Sequence, residues 1–240
     1  MFDALGYRLA DTVIPGQDAA LREPEYHHGL TNGSGIVVEL HWRITKRQYG
    51  HAAEDAFWWA NHHRVAIAGA EVSALDNDAL LVYLAIHGGK HEWWYLRWIG
   101  DIAAVAQNGN INWRRVRSIA KGLGALRMVR LALALAGDVL SAELPETART
   151  MAHEDLEVIP LVDAVRERLE GENLPFVADS TRFQLALRER FRDKVNFTFR
   201  SAMETKVSTF EVRDFPLAWR TVYYALRPVR LARHWGGWKG

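Results

Sequence analysis

The 240-residue chain contains no cysteine. Disulfides and thiolate metal sites are therefore excluded, and the redox compartment is left open. Long apolar runs are also lacking. The most apolar helical stretch, ALRMVRLALALAGDVL, is interrupted by Arg127 and Arg130 and is too short to span a bilayer. The neighbourhood of Met1 is polar and carries no signal peptide, so a soluble cytoplasmic protein without membrane contact is expected. Internal repeats and low-complexity tracts are absent. Net charge is only +1, which favours no class of partner. The distribution is less even: from Arg182 onward there are 13 Lys/Arg against 5 Asp/Glu, and before it 17 against 24. Solvated helix faces docking on an acidic first part explain this most simply. The terminal RPVRLARHW lacks the aromatic and basic interleave of a nucleic-acid-binding sheet, so nucleic acid is not expected as a partner.

What is present is an ordinary globular composition, 49% apolar and 25% charged, long enough to bury a real core. FDALGYRLA reads as a last helical turn ending at Gly6 and then a short strand. The stretch PGQDAALREPEYHHGLTNGSG reads as a loop. Ile36 to Ile44 alternates, with Val38, Leu40, Trp42 and Ile44 on one face and Val37, Glu39, His41 and Arg43 on the other. That is the period of a strand with one buried and one polar face. Ala52 to His63 reads as a Trp-rich helix, and Arg64 to Asp76 as a connector with short strands. Asp76 or Asp78 is placed to cap the next helix, and Asn112 to cap the one after it, which Gly122 and Gly124 separate from Ala125–Ala142. Pro145 ends that pair. Helices are expected over Asp155–Glu170 and Ser180–Met203, before a Pro-marked tail.

The most informative stretch is Leu75 to Gln107, read as one long helix. At 100° per residue, His87, His91, Trp94, Trp98 and Asp101 share one stripe with Lys90 beside it. Three readings are open: a cleft-lining helix that meets a ligand, a buried polar network, or a metal site using the i, i+4 histidines. Asp101 stands about 15 Å from His91 along such a helix, so one ion cannot reach both. His62 and His63 could complete a metal site only if the fold brings them near. The pairs Trp58/Trp59 and Trp93/Trp94 read as packing rather than base-stacking platforms.

VELHW, the Trp-bearing helix, LLVYLAIHGGKHEWWYLRWIGDIA and INWRRVRSIAKGLGALRMVRLALALAGDVLSAELP together resemble the uncharacterised bacterial nucleotidyltransferases of the polymerase-β-like superfamily. The resemblance covers about Gly6 to Pro145, and the closing PLAWRTVYYALRPVRLARH is similar to the tails of that family. It implies an α+β protein: a partial nucleotidyltransferase-type mixed sheet over 1–72, a helical cleft-lining region over 73–145, and a helical end with a basic tail over 146–240. It also implies Mg²⁺-dependent transfer from a nucleoside triphosphate to a small-molecule or other hydroxyl acceptor, with three carboxylates holding two Mg²⁺ ions. Glu39 matches the third carboxylate and is the implied catalytic and metal-binding residue. His41, His87, Lys90, His91 and Asp101 are the implied substrate-binding residues.

One element of the family pattern does not match. The Gly-Ser turn and Asp-x-Asp pair are expected upstream of GYRLA, and Asp76-Asn77-Asp78 reads as a helix start. A truncated or degenerate, inactive member is the expectation that follows. A missing sheet partner would leave the Ile36–Ile44 strand with an open edge, which predicts self-association. Two other classes stay open: a non-catalytic nucleotide-binding or scaffold protein, and a helical metal-dependent phosphohydrolase built on His87 and His91.

Overall fold

The structure is a computed structural model that describes residues 2–9, 27–42, 44, 55–108, 110–171 and 177–203. A one-turn 3₁₀ helix, Asp3–Leu5, ends at Gly6, whose φ of 75° is the left-handed conformation that glycine adopts without strain. Strand β1 (Arg8–Leu9) follows. It pairs antiparallel with β2 (His27–Thr31), which pairs antiparallel with β3 (Val37–His41). The β2–β3 turn is built by Asn32, whose side-chain oxygen accepts from the backbone N–H groups of Ser34 (3.0 Å) and Ile36 (2.9 Å). The stretch expected as loop up to Gly35 thus holds a strand, announced by Asn-Gly between two alternating segments.

Helix α1 (Asp55–Ala60) leads into a hairpin of β4 (His62–Ile67) and β5 (Ala70–Leu75). The expected helix through His63 therefore stops earlier, and both histidines lie on β4. The connector is a full hairpin, turning through Ala68 and Gly69 at φ 50° and 81°. Beyond it the chain is helical: α2 (Asn77–Lys90), α3 (Leu96–Asn108), α4 (Trp113–Leu123), α5 (Leu126–Asp138), α6 (Glu146–Ala152), α7 (Ile159–Glu170), α8 (Val177–Ala186) and α9 (Phe191–Met203). The α+β class holds, with small antiparallel sheets before a helical mass. Ser180–Met203 divides into two helices, and the Pro-marked tail lies outside the described residues, as does Arg43.

Helix α5 is the axis of the core. Met128, Val129 and Leu131 to Ala136 are all buried, and helices α2, α3, α4, α6 and α7 pack around them. The remaining side of α5 carries Arg127 and Arg130, which pair with Asp155 and Glu154. Asp76 caps α2 by accepting from the Ala79 N–H, and Asn112 caps α4 by accepting from that of Arg115. Arg115 then ties three elements together. It donates to both oxygens of Asp76 (2.9 and 2.8 Å), to Asp78 (2.7 Å) and to Asn61 (2.6 Å). The Asp-x-Asp of this chain is thus consumed in joining the hairpin, α2 and α4.

The single long helix expected over Leu75–Gln107 is two. Helix α2 ends where Glu92 and Trp93 take left-handed φ values of 54° and 58°. The Glu92 N–H bonds the Gly89 carbonyl and the Trp93 N–H bonds that of Gly88. This C-terminal wrap costs about 1–2 kcal/mol per non-glycine residue. It is offset by burying the Trp93 indole completely against Gly88, where the lack of a Cβ leaves room for the ring.

Candidate functional site

The polar face of β3 and one stripe of α2 lie within electrostatic reach of each other. In the β2–β3 register, His27 lies opposite His41 and Gly29 opposite Glu39, so the three polar groups His27, Glu39 and His41 share a face. The rings of His27 and His41 stack at 5.0 Å, and His41 Nε2 lies 3.1 Å from Glu39 Oε2. That hydrogen bond holds the Glu39 carboxyl below the usual range, with further help from His27, His41 and Lys90. On the opposite face, Leu30 is buried and Val38 half-buried, whereas Leu40, expected as an anchor, is 48% exposed. The sheet is anchored through β2, the middle strand of the three, whereas Leu40 lies on the edge strand β3.

Within reach of the Glu39 charge are Tyr83, His87 and His91, one turn apart on α2 and at its end, with Lys90 beside them. The three rings form a continuous column: Tyr83 to His87 at 6.0 Å, His87 to His91 at 4.7 Å. The turn after α2 folds Trp98 back onto the column, T-shaped to His87 at 5.5 Å and stacked on His91 at 5.1 Å. Burial, then the charge of Lys90, lowers His87 to about 4 and His91 to about 3, so both imidazoles are neutral at pH 7. Glu39 opposes that lowering in both rings and raises Tyr83, so its charge reaches the column. Nδ1 of His87 is buried and makes no hydrogen bond among the described residues.

The expected site residues Glu39, His41, His87, Lys90 and His91 are therefore brought together. Asp101 is not among them. It is exposed on α3, because the break at Glu92–Trp93 ends the phase that put it on the histidine stripe. Of the tryptophan pairs, Trp58 and Trp93 are core, while Trp59 is 70% exposed. Two contributors were missed by sequence reasoning. Tyr83 continues the i, i+4 spacing of His87 and His91 and was findable from it. His27 belongs to the site only through cross-strand pairing.

A family model described as uncharacterised nucleotidyltransferase matches residues 1–141. The chain belongs to that family. No curated protein and no solved structure matches it. For this nucleotidyltransferase-family chain, the fit of Mg²⁺ can be tested on the donors themselves. Mg²⁺ takes oxygen ligands, and a two-ion centre needs several carboxylates at one point. Among the described residues, Glu39 is the one carboxylate on this face whose charge reaches the column. No three His, Asp or Glu residues there could share an ion. Asp76 and Asp78, the Asp-x-Asp pair, are engaged by Arg115. The described donors do not make a two-Mg²⁺ centre. His62 and His63, on β4, form no group of three potential ligands with His87 and His91 among the described residues. No helix among the described residues is long and apolar enough to cross a membrane.

Proposed function

We propose that this chain binds a nucleoside triphosphate at the face shared by β3 and α2, for nucleotidyl transfer to a small-molecule or other hydroxyl acceptor. Lys90, buried in the last turn of α2, is the cation for the phosphates, where an ammonium supplies a point charge. His87 and His91, held neutral, offer ring nitrogens for hydrogen bonding without adding charge, and Nδ1 of His87 has no hydrogen-bond partner among the described residues. Glu39, kept ionised through His41, is the carboxylate on the side where Mg²⁺ would accompany the triphosphate. The observation that carries this reading is the convergence of Glu39, His41, His87, Lys90 and His91, from a strand and a helix far apart in the chain, inside the family-matched portion.

A non-catalytic nucleotide-binding role is the second reading, favoured by Glu39 being the single carboxylate of this face among the described residues. Calorimetry with ATP, GTP, CTP and UTP, each with and without Mg²⁺, tests both. The first reading expects Mg²⁺-dependent binding that weakens at least about tenfold in Lys90→Met, the loss of one charge-assisted contact, and that loses its Mg²⁺ dependence in Glu39→Gln. Binding indifferent to Mg²⁺ and to Glu39→Gln selects the second. No binding of any nucleotide refutes both.

A further inference from the structure

The carbonyls at the end of α2 have side-chain partners drawn from beyond the family-matched residues. Gln184 of α8, itself buried, donates from Nε2 to the carbonyl of Gly89 (2.9 Å) and to that of Lys90 (3.3 Å). Arg168 of α7 donates from Nη1 to the carbonyl of Glu92 (2.8 Å), and its Nη2 lies 3.2 Å from the Glu92 carboxylate. Both side chains of that ion pair are buried, 7% and 8% exposed. The Ser180 hydroxyl donates to the other Glu92 oxygen. The Arg168 guanidinium also lies over the rings of Trp94 (5.6 Å) and Phe183 (4.8 Å).

These contacts converge on one short segment, Gly89 to Trp94, and flank Lys90 and His91. The segment contains two consecutive left-handed non-glycine residues. Such backbone persists only where its surroundings over-determine it. The last four carbonyls of a helix have no partner within it; water serves at an exposed end, and a buried one must find partners in the protein. Here a guanidinium and an amide are committed, and both are expensive to bury.

We infer that Gln184 and Arg168 are positioning residues, which set the place of Lys90 and His91 in the nucleotide site by clamping the backbone on either side of them. The clamp makes helices α7 and α8 part of the site's function, although they touch no ligand. The proposal rests on the nucleotide-binding reading for its consequence, while the placement of His91 can be read without any nucleotide.

The test uses the full chain and two variants. Gln184→Met keeps length and volume but removes the donor. Arg168→Lys keeps the charge on Glu92 but cannot bridge its carboxylate and carbonyl together. Two quantities are read in each: the imidazole NMR signals of His87 and His91 against those of His153, and the Kd for Mg-ATP. Thermal melts establish that each variant is folded. The expected result is a cooperative melt, displaced His91 and His87 signals, an unmoved His153, and Mg-ATP binding weakened about tenfold, within the range of indirect couplings. Unmoved His91 signals in a folded variant overturn the clamp, and so does unchanged Mg-ATP affinity alongside displaced signals. If the parent protein binds no nucleotide, the functional reading fails, and the NMR signals alone decide whether Gln184 and Arg168 place His91. Should Gln184→Met not fold, Arg168→Lys carries the decision.

Discussion

One methyl group added at Gly88 should destabilise the protein, whereas the same change at Gly89 should not. Both glycines lie inside α2, where alanine is ordinarily favoured by about 1 kcal/mol. A Cβ built at Gly88 would lie 2.4, 2.4 and 2.6 Å from three carbons of the Trp93 ring. That ring is fully buried and cannot swing aside without opening the turn that carries His91. Overpacking of this kind costs up to about 3 kcal/mol, so the net loss after the helical gain is about 2 kcal/mol. For a chain of this size the melting temperature should fall by about 4–8 °C. At Gly89 the nearest atoms are Met128 Sδ at 3.4 Å and Leu187 Cδ1 at 3.5 Å, ordinary contacts with flexible side chains. Gly89→Ala should therefore melt at or above the parent temperature. Paired thermal melts by circular dichroism and tryptophan fluorescence decide the matter. A Gly88→Ala protein as stable as the parent would refute the account of why α2 ends where it does.

Three further outcomes are expected. His87 and His91 are lowered to about 4 and about 3, chiefly by burial, so below about pH 6.5 the unfolded chain binds more protons than the folded one. Stability should then decline as pH falls from about 6.5 toward 5, before most carboxylates titrate; urea midpoints across that window should drop, and His91→Phe should flatten the slope. Arg115→Met strips the cation from Asp78, whose side chain is 6% exposed, and should cost about 3 kcal/mol in denaturant unfolding. Adding Asp78→Asn should return part of that loss, and a fully additive double variant would contradict the pairing. Among the described residues the outer edge of β3 has no strand partner, so sedimentation at rising concentration should show association, and a monomer throughout would count against it.

Much of the site was legible because its signals are local. The two faces of VELHW follow from a period of two, and the His87–His91 pairing from a period of 3.6, neither needing knowledge of the fold. The caps at Asp76 and Asn112 were readable for the same reason, since a cap is a contact three residues long. Asp101 shows where such reasoning stops. Its place on the stripe assumed unbroken helical phase, and nothing in WWYLRW's composition opposes a helix. The break comes from tertiary burial of Trp93 over Gly88, a gain that outweighs two left-handed residues. The adjacent pair Gly88-Gly89 was the available warning, because glycine inside a helix is costly unless something needs the space. Beyond that limit lie His27, Gln184 and Arg168, each delivered by pairing or packing across many residues. They bear on where the site's groups stand rather than on which groups they are. Spacing within the chain therefore grouped Glu39 with His41 and Lys90 with His87 and His91, and the family resemblance joined the two groups into one expected site. The order in which strands and helices pack determines how firmly those residues are held.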